Sequence, residues 1–210
     1  MFDNNNDMER RWEDLMKACG LKKFGEDLRM VALAYADPIR KYHTLDHIRF
    51  CVQELDKLQA YVVRPELVEL AIWYHDVVYV PGASDNEAKS AEMFEVFAQK
   101  ARLRRADKAF VMATILSTTH KAEDRRRYPD TSFMLDIDLL SLAKPEVEFD
   151  VDSRACRKEF KHLTAKEYWP RNKAFLKSLL DRGYIYCTEA VHDRYEQAAQ
   201  RNLRRLVDCR

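Results

Sequence analysis

The sequence predicts an all-α fold of about nine or ten helices, and two observations lead to this prediction. Only 4 of the 210 residues are glycine and 6 are proline, whereas sheets joined by tight hairpins need glycine at positions of positive φ. Apolar residues recur at intervals of three and four, as on the buried face of a helix. Because no Gly/Ser/Pro-rich linker and no internal repeat interrupts this pattern, we expect a single domain over residues 1–210.

Five helices are predicted in the first half of the chain, and breaker or capping residues set their ends. Gly20 suits the C′ position that ends the first helix, and Pro65 suits the first turn of the fourth. The fourth helix is apolar on most sides, so we expect it at the centre of the fold. Ser84 and Glu87 have the spacing of a capping box at the start of the fifth helix. We place these helices at 8–19, 28–35, 44–61, 65–75 and 85–103.

Five further helices are predicted in the second half, where Gly183 follows the penultimate one. The helix that begins near residue 106 and the one that begins near residue 131 carry long apolar runs. We place these five helices at 106–119, 131–142, 150–163, 165–181 and 188–208.

Charge and cysteine content exclude several classes of protein. The 36 basic and 35 acidic side chains nearly cancel, whereas a nucleic-acid binder usually carries a strongly basic domain. We interpret the basic runs at 125–127 and 201–205 as solvated helix surface, because no aromatic residues are interleaved with them. The five cysteines are scattered and lack a CxxC pair, which indicates reduced thiols in a cytoplasmic protein. With no signal-peptide core and no long apolar window, we expect no membrane span.

Histidines gather on the helices that we expect to be central. His43 and His47 are four residues apart, so on a helix both imidazoles project from one face and can address one point. His75 and Asp76 close the most apolar helix, where a carboxylate is costly unless it is paired or binds a cation. His120 ends another apolar helix. Each observation alone also fits a structural histidine or a chance dipeptide, so the argument depends on their combination.

Two acids inside an apolar run complete the set. Asp136 and Asp138 lie in the segment FMLDIDLL, where a bare carboxylate would be expensive to bury and a metal ion would remove that cost. Imidazoles combined with carboxylates are typical of catalytic Mn, Fe, Co, Ni or Zn sites. The absence of nearby cysteine in the sequence argues against a closed structural zinc site. We therefore expect a divalent transition metal of undetermined identity, bound as one ion or two.

The order of these residues resembles the H…HD…D signature of the HD-domain superfamily, which is all-helical and consists mostly of metal-dependent phosphohydrolases. More closely, the chain is similar to a bacterial family of predicted metal-dependent HD-superfamily phosphohydrolases over about residues 10–208. The similar segments are KYHTLDHI, LAIWYHDVVY, SDNEAKSA, STTH, FMLDIDLL and IYCTEAVHDRYEQAAQRNLRRL. The resemblance implies an HD-domain-like helical bundle, with a motif core at about 40–142 and C-terminal helices at 145–208 packed on it.

The resemblance also implies roles for individual residues. The metal ligands would be His47, His75, Asp76 and Asp138, and Asp76 or Asp138 would also help to orient a catalytic water. His43 would be the general acid, because the segment from His43 to His47 resembles the two-histidine first motif of cyclic-nucleotide phosphodiesterases. The alternative that His43 is the first ligand stays open on helix register alone.

Four more residues are candidates near the site. Arg40 and His120 are predicted to bind substrate phosphate, although Arg40 also fits a surface charge and His120 a second-metal ligand or a core histidine. Glu87 is a candidate substrate contact or only a helix cap. Asp136 is predicted to orient a metal ligand by a hydrogen bond, without contacting the metal itself.

The expected function is hydrolysis of a small phosphate ester, a nucleotide among the candidates, by metal-activated water. One alternative is a non-catalytic scaffold that binds a metal and a nucleotide. Another is an iron-dependent oxygenase of the same fold. The sequence disfavours the oxygenase, because His120 is the only histidine between the HD pair and the last aspartate.

A zinc peptidase is excluded, because its metal-binding helix would need glutamate directly after the first histidine, where this sequence has Thr44. We expect no stable nucleic-acid partner and no membrane partner, and the sequence leaves a homo-oligomer open.

Overall fold

The chain folds into helices joined by short loops, and the prediction of an all-α fold is confirmed. The computed structural model describes residues 3–22, 24–120 and 129–208. Within these ranges there are ten α-helices and no strand. They are α1 (Asp3–Ala18), α2 (Gly25–Tyr35), α3 (Leu45–Leu58), α4 (Pro65–Tyr74), α5 (Asn86–Lys100), α6 (Arg105–Ser117), α7 (Pro129–Leu139), α8 (Glu146–Glu159), α9 (Ala165–Leu180) and α10 (Glu189–Asp208).

The most apolar helix, α4, lies at the centre. Every residue from Leu67 to Tyr74 is buried, as expected for a helix that is apolar on most sides. Helices α1, α3, α5, α6 and α7 all pack against it. The side chains that directly follow the C-terminus of α4 therefore enter the interior, where His75 and Val77 are buried.

Aromatic rings fill the core on one side of α4. The indoles of Trp12 and Trp73 meet edge to face with centroids 5.3 Å apart, and Tyr74 stacks on Phe97 at 5.4 Å. Edge-to-face and offset-stacked pairs are the favoured arrangements of aromatic rings. This packing fixes the rotation of α4 about its axis, and so fixes where the residues that follow it point.

The C-terminal helices attach through the segment after α7. Leu140–Ala143 forms a 3-10 turn that packs against α8 and α10, and α9 packs against α10. Buried side chains from the described helices form one contiguous hydrophobic cluster. The single domain over residues 1–210 stays a prediction, because the basic run at 125–127 and both chain ends lie outside the described residues.

The helix ends differ from the predicted ones in physically understandable ways. The capping box at Ser84 and Glu87 is wrong, because α5 begins at Asn86 and its N-cap, Asp85, makes no side-chain capping hydrogen bond. Helix α8 begins at Glu146, four residues earlier than predicted, because Pro145 supplies a helix-compatible start. As predicted, Gly20 follows α1 with φ +67°, a conformation that other residues adopt only at a cost.

The described helices include none that is long and apolar enough to cross a membrane.

Candidate metal centre

Three helices bring the four predicted ligands to one point. His47 lies in the first turn of α3, which starts after Thr44, whose hydroxyl accepts a hydrogen bond from the Asp46 backbone amide. His75 and Asp76 follow directly after α4, and Asp138 lies in the last turn of α7. The α3–α4 and α4–α7 contacts bring these ends together.

The distances between the donor atoms fit a single metal ion. Nε2 of His47 lies 3.1 Å from Oδ1 of Asp138. Nε2 of His75 lies 3.2 Å from Oδ2 of Asp76 and 3.4 Å from Oδ1 of Asp138. Ligands that bind one ion at 2.0–2.2 Å are about 2.8–3.6 Å from their neighbours in tetrahedral or octahedral geometry. The donor atoms of His47, His75 and Asp76 lie within 4.8 Å of one another, and Asp138 lies close to both imidazoles, so these side chains form a candidate metal centre.

The orientation of His75 supports the same conclusion. Its Nδ1 donates a hydrogen bond to the Ile72 carbonyl at 2.8 Å, which leaves the lone pair on Nε2. This buried Nε2 has no hydrogen-bond partner among the described residues, although both carboxylates are close. An unpaired buried nitrogen is costly, and a backbone carbonyl on the opposite ring nitrogen is how proteins commonly orient a metal-binding histidine.

The carboxylates and imidazoles hold each other in charged form. Burial disfavours ionisation of Asp138, but attraction to His75 and hydrogen bonds from His120 and His47 keep its pKa well below its ordinary value. Asp76 is similarly buried, and its pKa is lowered by His75 and His43. Burial lowers the pKa of His75, yet the charges of Asp76 and Asp138 raise it well above the ordinary value overall. The two carboxylates therefore attract a cation at this point, whether a proton on His75 or a metal ion that displaces it.

Cys51 also lies beside His47, and the pair forms a possible ligand group with Asp138. Its Sγ is 3.8 Å from Nδ1 and 3.7 Å from Nε2 of His47. Such nearly equal distances place the sulfur about midway between the two nitrogens, away from the direction of the Nε2 lone pair. A sulfur that shared an ion with Nε2 would lie closer to Nε2 than to Nδ1, so we do not count Cys51 as a ligand.

His43 sits next to the four ligands and faces a different partner. Its Nδ1 lies 2.7 Å from Oε2 of Glu159, and its Nε2 lies 4.0 Å from Oδ2 of Asp76. The ring is held face-on by Tyr79, with centroids 4.3 Å apart. The candidate ligand groups among the described residues include His47 and not His43, whose Nε2 faces Asp76 from 4.0 Å.

Glu159 is the functional residue that the sequence reasoning missed. It is the last residue of α8 and is completely buried. Its Oε1 accepts hydrogen bonds from three successive backbone amides, at Lys41, Tyr42 and His43, and its Oε2 accepts one from the Tyr79 hydroxyl. Burial opposes ionisation, but the hydrogen bond and charge of His43, helped by these amides, lower the pKa of Glu159 to about 2.

One sequence signal does point to Glu159. A carboxylate in the last turn of a helix lies at the negative end of the helix dipole and is unfavourable there. Its neighbours Arg157 and Lys158 have the favourable sign. An acid in that position needs a partner elsewhere in the fold, and the sequence does not say which.

Arg40 does not line the site as predicted. Its buried guanidinium donates hydrogen bonds to the backbone carbonyls of His43, Asp76 and Val77, at 3.1, 2.8 and 3.0 Å. It also lies 4.9 Å from the centroid of the Tyr35 ring. The guanidinium is thus used to join the loop before α3 to the loop after α4, and this placement gives no support to the phosphate-binding role.

His120 and Glu87 both lie near the ligands. Nε2 of His120 is 2.8 Å from Oδ2 of Asp138, the oxygen that faces away from His47 and His75. His120 has a left-handed backbone with φ 54°, and its carbonyl accepts a hydrogen bond from Arg182. Glu87 is half-buried in the first turn of α5. Both side chains line the cavity described below.

Asp136 has a different role from the predicted one. Its carboxylate accepts hydrogen bonds at 2.7 Å from the backbone amides of Cys187 and Thr188 and from the Thr188 hydroxyl. Residues two apart on a helix point about 200° away from each other, so Asp136 and Asp138 face opposite sides of α7. Instead of orienting a ligand, Asp136 anchors the start of α10.

Replacing Asp136 by alanine is expected to destabilise the fold without removing a metal ligand. Two partly buried amides and a hydroxyl would lose their acceptor, at a cost of about 2–4 kcal/mol. Urea denaturation of the variant measures this loss, and metal analysis of the folded protein checks the site. A variant of normal stability that has lost its metal would show instead that Asp136 supports the ligands.

The metal centre opens into a cavity of about 420 Å³. His43, Asp76, His120 and Asp138 form one part of its wall, and residues of α8 and α9 form another. A cavity of this size is typical of small-molecule sites. Asp76 and Asp138, which line the cavity, can therefore be reached by a substrate.

Comparison with known proteins adds no relative: no family model matches the chain, and neither a curated protein nor a solved structure matches it.

Proposed function

We propose that this protein is a metal-dependent phosphohydrolase that acts on a phosphate ester. One observation carries the proposal: two imidazoles and two carboxylates converge, and the two carboxylates line a cavity together with a further histidine, His43. The sequence resemblance to HD-domain phosphohydrolases points to the same chemistry. The ligand set His47, His75, Asp76 and Asp138 suits Mn, Fe, Co, Ni or Zn.

A bound divalent ion would lower the pKa of a coordinated water and polarise a phosphoryl oxygen. The protein supplies the rest of the chemistry. Asp76 has its Oδ2 between His75 and His43, so it can bind the ion and accept a hydrogen bond from the attacking water. His120, which lines the cavity next to Asp138, can donate a hydrogen bond to a phosphoryl oxygen.

His43 is the group best placed to donate a proton to the leaving oxygen. Its Nδ1 is held by Glu159, so Nε2 is the nitrogen that faces the ligand group and the cavity. A carboxylate behind an imidazole fixes the ring orientation and stabilises the protonated form. General acid catalysis of this kind contributes about 10²–10⁴-fold.

The proposal is tested by metal analysis of the purified protein, followed by phosphate-release assays on a panel of phosphate esters with the identified metal added. We expect about one bound transition-metal ion per chain and metal-dependent release of phosphate. A metal-loaded protein that releases no phosphate from any ester would contradict the proposal and favour the non-catalytic scaffold. Oxygen consumption in the presence of Fe(II) would favour the oxygenase.

A His43→Ala variant is expected to keep its metal and to lose activity according to the leaving group. Benzyl phosphate releases an alkoxide that needs a proton, so its kcat should fall by about 10²–10⁴-fold. 4-Nitrophenyl phosphate releases a phenolate that needs none, so its kcat should fall far less. Equal losses for the two aromatic esters, or loss of the metal, would argue that His43 is a ligand instead.

A further inference from the structure

The cavity beyond the metal centre is mostly apolar, and this property bears on the substrate. The walls contributed by α8, α9 and the segments next to them carry aromatic and aliphatic side chains: Phe149, Leu142, Phe160, Leu163, Tyr168 and Leu176. The rings of Phe160 and Tyr168 lie 5.4 Å apart and pack against each other. Such walls favour an apolar or aromatic group over a sugar or another polyol.

The charges on the cavity wall are unfavourable for a polyphosphate. Of the cavity-lining residues in the described ranges, Arg171 alone is a lysine or arginine, and its side chain is exposed. Glu87 and Asp152 add negative charge besides the two carboxylates assigned to the metal, although Lys144 pairs with Asp152 at 2.8 Å. Sites that bind a triphosphate chain surround it with several cations or backbone amides, and the part of this wall formed by the described residues offers one exposed guanidinium.

The volume sets the size of the group. An engineered apolar cavity of about 150 Å³ accepts benzene. The 420 Å³ here therefore has room for one phosphate at the metal centre and an apolar group of about two fused rings.

We propose that the cavity binds the apolar, ring-containing alcohol portion of a monophosphate ester, and that it discriminates against nucleoside triphosphates and sugar phosphates. The part of this inference that concerns the phosphate group of the substrate rests on the proposed function. Binding of an apolar group in the cavity can be tested without any hydrolysis. Phe149 and Ser153 lie one turn apart on α8 and both line the cavity, so this face of α8 is the specificity-determining surface.

The test uses one naphthyl group in two forms. Binding of 2-naphthylmethanol, followed by its fluorescence, probes the apolar cavity with no phosphate and no chemistry. Hydrolysis is then compared for 2-naphthylmethyl phosphate, glycerol 3-phosphate and ATP in the metal-loaded protein. Since the naphthylmethyl and glycerol esters both release a primary alkoxide, a difference in kcat/KM between them reports binding of the alcohol portion.

We expect 2-naphthylmethanol to bind and kcat/KM for its ester to exceed that for glycerol 3-phosphate by at least about tenfold. Ser153→Trp should fill the cavity, abolish binding of the alcohol and bring this ratio close to one. Cys156→Phe, at the next position on the same face, is a second cavity-filling variant. Arg154→Trp carries the same new side chain on the exposed face of α8 and should leave both measurements unchanged.

The outcomes separate this inference from the proposed function. Phosphate release without naphthylmethanol binding, or a preference for ATP, would overturn the cavity assignment and leave the hydrolase intact. Naphthylmethanol binding that Ser153→Trp removes, without phosphate release from any ester, would support the apolar cavity and contradict the hydrolase. Binding that survives in both cavity-filling variants, each with a normal thermal transition, would also overturn the assignment.

Discussion

A His75→Ala variant is expected to lose its bound metal and to hydrolyse phosphate esters at least about 10³-fold more slowly than the wild type. The physical reason is that Nε2 of His75 is the buried atom that lies close to both Asp76 and Asp138. Without it, the two carboxylates lack the neutral ligand between them, and an ion held by the remaining groups would be weakly bound and poorly oriented. Loss of the ion removes several kcal/mol of transition-state stabilisation, and each 1.36 kcal/mol corresponds to tenfold in rate.

The measurement combines metal content, phosphate release and far-UV circular dichroism. His192→Ala is the matched control, because His192 is exposed and lies on α10 away from the ligands. We expect the helical signal to be preserved in both variants, since α4 is fixed by its packing against five other helices rather than by its last side chain. Full metal content together with full activity in the His75 variant would remove the basis of the proposed function.

The residues that the sequence places correctly are those whose position follows from local periodicity. An almost wholly apolar segment has to be buried on all sides. This requirement correctly predicts that α4 lies at the centre and that the side chains after it lie in the interior. This inference needs only the helical repeat and the cost of burying charge. The prediction that His43 and His47 share one helix face is wrong, because α3 begins at Leu45 and His43 lies in the loop before it. Their ring centroids are nevertheless 6.0 Å apart.

The residues that the sequence misplaces depend on contacts between distant segments. Glu159 and His43 are 116 residues apart, and no periodicity says that the end of α8 meets the start of α3. Arg40 lies close to His43 in sequence, which suggested a phosphate contact, yet its burial directs the guanidinium to backbone carbonyls. Helix geometry alone shows that Asp136 and Asp138 diverge, but only the packing of α7 shows which of them faces the ligands.

Glu159→Gln is the second substitution for which we expect a large effect. The carboxylate of Glu159 accepts a hydrogen bond from Nδ1 of His43 and another from the Tyr79 hydroxyl, both on Oε2. A glutamine amide has one oxygen and one NH₂ group, so it cannot accept at Oε2 and also accept the three backbone amides at Oε1. Either His43 loses its acceptor or the loop before α3 loses its anchor.

We expect kcat for benzyl phosphate to fall by about 10–100-fold, as is typical when the partner that orients a functional histidine is removed. Metal content should be unchanged and KM should change little, because Glu159 belongs to neither group of candidate ligands and does not itself line the cavity. The loss should be smaller for 4-nitrophenyl phosphate, since Glu159 is a positioning residue that acts through the proton donor His43.

Glu196→Gln separates this positioning role from a purely structural one. Glu196 is also a buried glutamate whose carboxylate accepts hydrogen bonds from consecutive backbone amides, those of Ile185 and Tyr186, but it lies on α10. Both variants should lose stability in urea by about 1–3 kcal/mol, because both weaken a buried hydrogen-bonded charge. Only Glu159→Gln should change the ratio of the two leaving groups. If the two variants change the ratio of the two leaving groups equally, Glu159 stabilises the fold and does not position His43. If Glu159→Gln alone changes this ratio, the carboxylate of Glu159 sets the orientation of the proton donor His43.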